Sequence, residues 1–365
     1  MSQTFTYYAH TLPGIEEIAW LEIRQRLPGA SFNEYLFAKN QNGIVVFDTA
    51  DKITDLLELR TTEDVFLLAI DVERLSRNRS DLSAISSMVA KGESFGRAAN
   101  QFLRWRRPSG PPTFRVISRQ FGQHQYRRKD VEAAVLYGIR NRYPKWQPVA
   151  DGGDIEVWAN MLGSHLLIGL RLSDRSMRHR YDRQVELPAS LRPSMAAAMI
   201  LLTEPGADDV FLDPMCGSGT LLLERLHAGP YAQILGGDNE ATRVEATRKN
   251  LPQRRKGRKQ DMIQVREWDA TNLPLQSGSV TKVAVNLPFG KQIGSPDQLE
   301  ALYRATFSEL ARVVVPSGLV VLLSSEYELV KSLMRQQPAL EIMTGYSVAT
   351  LGVWGRIYVA RRTAP

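Results

Sequence analysis

The sequence contains very little cysteine and histidine. Cys216 is the single cysteine among 365 residues, so no intrachain disulfide can form. The five histidines are scattered along the chain, and no cluster offers the three or four ligands of a zinc site. We therefore expect a protein with no bound metal.

Long hydrophobic runs are also missing. The most apolar stretch, residues 313–323, is interrupted by Pro316, Ser317 and Gly318, whereas a membrane span needs about 18 apolar residues in succession. The amino-terminal Met-Ser-Gln-Thr carries no basic segment followed by an apolar one, which does not support a signal peptide. We expect a soluble, cytoplasmic protein without a membrane partner.

Basic residues are concentrated in two windows. The net charge is +7, from 46 Lys and Arg against 39 Asp and Glu. Residues 97–145 hold twelve basic and two acidic side chains, and residues 248–259 hold seven basic and no acidic one. Such segregation is typical of a surface that binds a polyanion, and solvated helix faces are the alternative.

Hydrophobic periodicity divides the chain into regions of different character. At 365 residues we expect two or three domains. Residues 4–70 and 80–175 each mix strands with helices. From Pro188 onward short strands and helices alternate regularly, which predicts an α/β domain with a mostly parallel sheet covered by helices on both faces.

A glycine-rich turn occupies residues 213–220, Asp-Pro-Met-Cys-Gly-Ser-Gly-Thr, between a predicted strand and a predicted helix. Its glycines let a ligand approach the backbone at the amino end of the helix. Leu222 stands where a dinucleotide motif has its third glycine, which disfavours a pyrophosphate ligand. Asp238 ends the next strand, where a ribose diol would lie, and a helix N-cap is the alternative role.

Two further motifs follow the third and fourth strands of this region. Trp268-Asp269-Ala270 ends the third, and residues 286–290, Asn-Leu-Pro-Phe-Gly, end the fourth. Because ligands bind at the carboxyl ends of strands in open α/β sheets, these motifs and the glycine-rich turn should share one site. A plain turn after a strand is the alternative for residues 286–290.

This series of motifs resembles the S-adenosylmethionine-dependent methyltransferases that act on exocyclic amino groups, over residues 185–365. Leu287 replaces the first proline of their D/N-P-P-F/Y motif. Residues 114–119, residues 123–128 and the helix that follows resemble the THUMP RNA-binding domain. The whole chain is thus similar to the bacterial and archaeal THUMP tRNA guanine-N2 methyltransferases.

The resemblance implies a class I, Rossmann-like methyltransferase domain with a mostly parallel sheet, preceded by α+β ferredoxin-like and THUMP domains. We place the ferredoxin-like domain at residues 1–70 and the THUMP domain at 71–175. A linker at 176–192 leads to the methyltransferase domain at 193–365. We expect a monomer that binds tRNA and has no obligate protein partner.

The resemblance also implies which residues bind S-adenosylmethionine. Asp238 would hold the ribose hydroxyls, Asp269 the adenine amine and the glycine-rich turn the methionine end. Ser194 is a possible contact, with a simple helix cap equally compatible. The full set of expected cofactor-binding residues is Ser194, Asp213, Pro214, Cys216, Gly217, Gly219, Thr220, Asp238, Asn239, Asp269, Ala270 and Asn286.

The expected catalytic residues are Asn286, Pro288 and Phe289. The Asn286 side-chain oxygen and the Pro288 carbonyl can accept the two hydrogens of a target amine, and Phe289 would stack on the extruded base. A neutral amide cannot take a proton at neutral pH, which argues against general-base catalysis. The expected RNA contacts are Arg115, Arg119, His124, Arg127, Arg128 and Lys129.

These features favour methylation of a guanine amine in tRNA, and the resemblance implies guanosine 6 of the acceptor stem. Four alternatives stay open: the same reaction on ribosomal RNA, adenine-amine methylation in DNA, an RNA-binding protein without catalysis, and a Rossmann dehydrogenase. Covalent methylation at a pyrimidine carbon is disfavoured, because it usually needs a cysteine at the base and Cys216 lies in the glycine-rich turn.

Overall fold

A computed structural model describes residues 3–37, 42–181, 184–188, 190–252, 262–290, 295–350 and 352–364. The chain forms two compact units. The first covers most of the chain up to Met177, and the second covers the chain from Arg178 onward together with Glu17–Ala19. This division falls within residues 176–192, the expected linker.

The first unit is built on a sheet of eight strands in the order β2-β3-β1-β4-β8-β7-β5-β6. Its elements are β1 (Phe5–Thr11), α1 (Glu16–Arg26), β2 (Ser31–Leu36), β3 (Gly43–Thr49), α2 (Ile53–Leu56), β4 (Thr62–Val72), α3 (Ser80–Lys91), α4 (Glu93–Arg106), β5 (Thr113–Phe121), α5 (Arg128–Arg142), β6 (Gln147–Pro148), β7 (Ile155–Leu162), β8 (His165–Arg171) and a 3-10 turn (Arg175–Met177).

The pairing of β4 with β8 joins two parts of the sequence that were expected to form separate domains. These strands run antiparallel, from Phe66 opposite Arg171 to Val72 opposite Leu166. Residues 1–70 and residues 71–175 therefore contribute to one continuous sheet. The division of this unit into a ferredoxin-like and a THUMP domain remains a prediction.

The second unit alternates strands and helices. Its elements are α6 (Pro193–Leu202), β9 (Val210–Asp213), α7 (Thr220–His227), β10 (Gln233–Asp238), α8 (Ala241–Asn250), β11 (Ile263–Glu267), β12 (Val280–Asn286), α9 (Pro296–Val313), β13 (Val314–Ser324), α10 (Tyr327–Arg335), β14 (Leu340–Thr350) and β15 (Val353–Arg362).

The sheet of the second unit has the order β11-β10-β9-β12-β13-β15-β14. The strands from β11 to β13 are parallel, and β15 runs antiparallel to both β13 and β14. This confirms the predicted α/β fold with a mostly parallel sheet. The strand order reverses between β9 and β12, and such a reversal opens a crevice at the carboxyl ends of these strands.

The core of the second unit explains the apolar character of its strands. Val283 and Val285 of β12 and Val320 and Leu322 of β13 are all buried. Helix α9 lays Tyr303, Phe307 and Leu310 on the same cluster. Strands covered on both faces need hydrophobic residues at consecutive positions, which is the pattern of these two strands.

No helix within the described ranges is both long enough and apolar enough to cross a membrane.

Candidate functional site

The glycine-rich turn follows β9 and leads into α7. Gly217 and Gly219 have φ angles of +52° and +83°, in the left-handed region that favours glycine. The Gly219 N–H donates to the Cys216 carbonyl at 2.7 Å, which closes the turn. The Asp213 carboxylate, 1% exposed, accepts a hydrogen bond of 3.2 Å from the Met215 N–H. Glycine thus occupies the two positions of the turn at which the backbone is left-handed.

Side chains of α8 hold the turn in place. The Thr247 hydroxyl donates to the Gly217 carbonyl at 2.8 Å, and the Asn250 amide donates to the Ser218 carbonyl at 3.0 Å. A Cβ atom on Gly219 would lie 2.9 Å from Thr247 Cγ2. A Cβ atom on Gly217 would have no neighbour within 4 Å among the described residues. Gly219 therefore permits close packing, and Gly217 leaves space that a ligand could occupy.

Asp238 lies beside this turn at the end of β10. It is 3% exposed, and its carboxylate accepts hydrogen bonds from the N–H groups of Gly217 at 3.0 Å and Glu240 at 3.3 Å. Burial, together with the charge of Asp238, raises the pKa of Asp213 well above its usual range. Helix α8 begins at Ala241 with Glu240 as its N-cap, so Asp238 is not a helix cap.

Cys216 is buried within the turn. Its Sγ atom lies 3.5 Å from the Thr247 hydroxyl. Burial and the neighbouring charge of Asp213 raise the pKa of the Cys216 thiol. A thiol held in its neutral form is a poor nucleophile. That Cys216 performs no covalent catalysis stays a prediction.

The segment before α6 lies against the same turn. The hydroxyls of Ser190 and Ser218 are 3.0 Å apart. Val185 and Asn250 exchange two hydrogen bonds, of 3.0 and 2.8 Å, between the Val185 backbone and the Asn250 side chain. Ser194 is buried in the first turn of α6, whose N-cap is Arg192, so Ser194 does not cap this helix.

Trp268 follows β11 and connects the end of this strand to the ends of β9 and β10. Its indole N–H donates to the Pro214 carbonyl at 3.0 Å, and its backbone N–H donates to the Asp238 carbonyl at 3.0 Å. Asp269 is exposed, and its carboxylate accepts a hydrogen bond of 2.8 Å from the Thr271 N–H.

The remaining expected cofactor residues differ in exposure. Asn239 is exposed, whereas Pro214, Thr220 and Ala270 are buried. The structure thus brings the predicted motifs to one edge of the sheet. Which of their side chains contact a ligand stays a prediction.

Asn286 ends β12 at the same edge. Its side-chain oxygen Oδ1 is buried and accepts no hydrogen bond from any described residue. An unpaired buried acceptor costs about 1 to 3 kcal/mol. An oxygen in this state is suited to receive a donor from a ligand.

The Pro288 carbonyl has a partner that the sequence motifs did not reveal. It accepts a hydrogen bond of 2.7 Å from the hydroxyl of Tyr303, which lies in α9. A carbonyl oxygen has two lone pairs, so one remains for a substrate. Leu287 is buried and its N–H donates to the Leu323 carbonyl at 2.9 Å, while Phe289 is half-buried. In the sequence, Tyr303 is marked only by its spacing of four residues from Leu299 and from Phe307, which is typical of one face of a helix.

The expected RNA-binding residues of the first unit fall into two groups. Arg127, Arg128 and Lys129 are exposed around the start of α5. Arg115 is ion-paired with Asp151 and, at 2.7 Å, with Glu156. The first group is available to a ligand, whereas Arg115 is engaged within the fold.

Arg119 and His124 are also engaged. The Arg119 guanidinium lies 4.6 Å from the centre of the Trp158 ring and donates to the Asn42 side chain at 2.9 Å. Burial lowers the pKa of Arg119. The ring nitrogens of His124 lie 2.7 and 3.2 Å from the carbonyl oxygens of Gly163 and Gly122. Of the second basic window, residues 253–259 lie outside the described residues.

One group of possible metal ligands occurs in the first unit. Within the described ranges, ligand atoms of Glu34, Asp71 and His165 lie within 4.8 Å of one another. His165 Nε2 is 2.6 Å from the Asp71 carboxylate, and this contact is the main cause of the raised pKa of His165. His165 and Asp71 are hydrogen-bond partners of each other and need no ion to pair their polar atoms. The expectation that the protein holds no metal stays a prediction.

Comparison with known proteins finds relatives of this chain. Residues 180–354 match the family UPF0020, described as RMKL-like, methyltransferase domain. The tRNA (guanine(6)-N(2))-methyltransferase THUMP3 of Homo sapiens is 31% identical over 225 residues, which are 58% of this chain and 44% of that protein. The tRNA (guanine(6)-N2)-methyltransferase of Thermus thermophilus is 26% identical over 357 residues, covering 97% of this chain and 98% of that protein.

Solved structures share the architecture. TrmN from Thermus thermophilus has a TM-score of 0.77 at 25% identity and covers 99% of this chain and 100% of its own. SMU.472, solved in complex with SAH, has a TM-score of 0.68 at 16% identity, which shows the fold alone. The chain spans less than half the length of the human relative, at 44%.

Proposed function

We propose that this chain transfers a methyl group from S-adenosylmethionine to the N2 amine of a guanosine in tRNA. Residues 180–354 match the UPF0020 family of RMKL-like methyltransferase domains, which supports the proposal. The Rossmann-like methyltransferase fold expected from the sequence is confirmed. The observation that carries the proposal is the buried, unpaired Oδ1 of Asn286 at the carboxyl edge of the sheet.

The chemistry of this edge suits an NH2 group. Asn286 Oδ1 and the free lone pair of the Pro288 carbonyl are two acceptors for its two hydrogens. Accepting both hydrogens raises electron density on the nitrogen and aims its lone pair. Guanine and adenine both carry such an amine. The names of the human and Thermus relatives support guanine, at position 6 of tRNA.

The glycine-rich turn fits S-adenosylmethionine better than a dinucleotide. The open space at Gly217 and the buried carboxylate of Asp238 suit a ligand with a ribose and an extended tail. Leu222, in place of a third glycine, disfavours a pyrophosphate. The bound cofactor would supply an electrophilic methyl group. Asp238 would hold the ribose hydroxyls, Asp269 the adenine amine and the turn the methionine end.

Replacing Asp238 with alanine should weaken the binding of S-adenosylmethionine by about ten- to a hundredfold. Loss of a hydrogen bond to a buried charged group costs roughly 1.5 to 3 kcal/mol, and each 1.4 kcal/mol is tenfold in affinity. Isothermal titration calorimetry measures the change. Asp208→Ala, which removes an exposed carboxylate of the same unit, is the matched control. Equal affinity of the two variants would remove Asp238 from the cofactor site.

The first unit would bind the RNA, with residues 71–175 as a THUMP domain and residues 1–70 as a ferredoxin-like domain. Helix α4, strand β5 and helix α5 carry most of the basic window that suggested a polyanion ligand. The phosphate contacts are assigned to the exposed basic residues around the start of α5. Arg115 and Arg119 already have partners and would support this surface from within.

Reversing the charges of Arg127, Arg128 and Lys129 to glutamate should lower tRNA affinity and reduce its salt dependence. Each phosphate contact contributes roughly 0.7 to 0.9 unit to the slope of log affinity against log salt, so the slope should fall by about 2 to 3 units. Filter binding at several salt concentrations measures this slope. Cofactor affinity should not change.

A second triple variant controls for net charge. Lys331, Arg335 and Arg361 are exposed basic residues of the second unit, outside both basic windows. Their reversal to glutamate changes the net charge by the same amount and should leave the salt slope near the wild-type value. If both triple variants show the same slope, the proposed surface around α5 is wrong.

Methyl transfer from tritiated S-adenosylmethionine to total tRNA, followed by nucleoside analysis, tests the proposal as a whole. N2-methylguanosine is the expected product. N6-methyladenosine or a ribose-methylated nucleoside in its place would overturn the assignment, and transfer only to ribosomal RNA would favour that substrate. Incorporation into neither RNA would point to an RNA-binding protein without catalysis. A monomeric state and a cytoplasmic location remain predictions.

A further inference from the structure

Tyr303 connects helix α9 to the segment that would hold the target amine. Its side chain is 0% exposed. Its hydroxyl oxygen lies 2.7 Å from the Pro288 carbonyl oxygen and 2.9 Å from the Ser324 hydroxyl at the end of β13. Neither Tyr303 nor Ser324 belongs to the motifs that suggested the site.

The donor in each of these hydrogen bonds follows from the chemistry of the groups. A carbonyl can only accept, so Tyr303 must donate its single hydroxyl hydrogen to Pro288. The Ser324 hydroxyl must then donate to Tyr303. Ser324 in turn accepts from the Glu326 N–H at 2.9 Å. These three hydrogen bonds form one directed chain that ends on the Pro288 carbonyl.

Tyr303 keeps its donor hydrogen at physiological pH. Burial raises the pKa of its hydroxyl to about 12. The hydroxyl is therefore neutral at physiological pH, and it has no alternative donor role because its one hydrogen is engaged. Its ring is packed in the core cluster of the second unit, which limits the movement of the hydroxyl.

We propose that Tyr303 is a positioning residue for methyl transfer: it orients the Pro288 carbonyl so that the remaining lone pair of this carbonyl faces the target amine. The inference rests on the proposed function. The N–H groups of Leu287 and Gly290 are held by the Leu323 carbonyl and, at 3.3 Å, by Glu326. The Pro288 carbonyl between them is oriented by the Tyr303 hydroxyl.

The central test compares Tyr303→Phe with wild type in the full chain. The substitution keeps the ring and removes the hydroxyl, so the carbonyl can rotate away from the amine. Small errors in position reduce rates strongly, and we expect kcat for N2-methylguanosine formation to fall by roughly ten- to a hundredfold. The affinity for S-adenosylmethionine should stay within about twofold of wild type, because the two hydrogen-bond partners of the hydroxyl, Pro288 and Ser324, lie outside the glycine-rich turn.

Tyr358→Phe is the matched control. Tyr358 is also a buried tyrosine of the second unit, and its hydroxyl donates to a backbone carbonyl, that of Tyr327, at 2.8 Å. Each substitution removes one hydrogen bond donated to a backbone carbonyl, and Tyr303→Phe also removes the acceptor of the Ser324 hydroxyl. The melting temperature of Tyr303→Phe should therefore fall slightly further than that of Tyr358→Phe. Only Tyr303→Phe should lower kcat.

Ser324→Ala probes the chain one step further from Pro288. It should lower kcat by a smaller factor than Tyr303→Phe, since Tyr303 can still donate. In the double variant the serine substitution should have no additional effect on kcat, because its influence passes through the Tyr303 hydroxyl. Additive effects would mean that the two hydroxyls act independently, which contradicts a chain ending on Pro288.

The outcomes separate the two proposals. If the wild-type chain forms no N2-methylguanosine, the proposed function fails and the role of Tyr303 falls with it. If wild type is active and Tyr303→Phe matches Tyr358→Phe in kcat, only the inference on Tyr303 is overturned. A parallel loss of kcat, cofactor affinity and thermal stability in Tyr303→Phe would show a purely structural role and would also overturn it.

Discussion

Replacing Asn286 with alanine should reduce kcat for methyl transfer by roughly a hundred- to a thousandfold. Removal of one preorganised hydrogen-bonding group from a transition state costs about that factor. Asn286 Oδ1 is buried and has no partner among the described residues, so its hydrogen-bonding capacity is unused until a substrate amine arrives. The loss should therefore appear in the chemical step.

Folding and binding should survive the same substitution. No hydrogen bond to Oδ1 within the described residues is lost, and the cost of burying an unpaired acceptor is relieved, so the free energy of unfolding should not fall. Single-turnover kinetics at saturating S-adenosylmethionine and tRNA isolates the chemical step. Asn286→Asp, which keeps an acceptor oxygen at this position, should retain more activity than Asn286→Ala. If the alanine variant stays within about threefold of wild type, Asn286 does not hold the amine.

Replacing Gly237 with alanine should lower the free energy of unfolding by about 3 kcal/mol or more. Overpacking a closely packed site costs typically 1 to 3 kcal/mol, and more where backbone must move. A Cβ atom at Gly237 would overlap the Trp268 ring and lie 2.5 Å from the Arg266 backbone oxygen. Displacement of that ring would also strain the hydrogen bond from Trp268 to the Pro214 carbonyl.

Gly206→Ala is the control for this prediction. A Cβ atom at Gly206 would meet only the Asp209 carboxylate, at 3.7 Å or more, which is ordinary van der Waals contact. Urea denaturation of the two variants and wild type measures the difference. Because Gly237 precedes Asp238, the destabilised variant should also bind S-adenosylmethionine more weakly. An unchanged urea midpoint for Gly237→Ala would show that the packing between β10 and Trp268 is looser than described.

Much of the second unit could be predicted because its signals are local. Each strand end was recognisable from a hydrophobic run followed by polar or glycine residues, and the structure ends β9, β10 and β12 at Asp213, Asp238 and Asn286. The positive φ angles of Gly217 and Gly219 could be expected in the same way, because glycine adopts such angles readily. Alternation of strands with helices was enough to predict a mostly parallel sheet.

The first unit was harder to predict, because its organisation depends on pairing between distant strands. Strand β2 leaves no clear signal in the sequence, because its residues are exposed or half-buried throughout and show no alternation. The union of β4 with β8 joins residues about a hundred positions apart. Arg115 has an acidic partner and Arg119 an aromatic one on another strand, which a basic sequence window does not reveal, and their contact with RNA stays a prediction.

The amino-acid sequence by itself determined which motifs this protein has and at which strand ends they lie, because turn chemistry and hydrophobic periodicity act over a few neighbouring residues. Only the tertiary structure decided what supports those motifs. Tyr303 reaches the Pro288 carbonyl from α9, and Asn250 links the Val185 backbone to the glycine-rich turn from α8. Such contacts depend on how helices pack against the sheet. The local sequence of a helix does not show which distant residue it will contact.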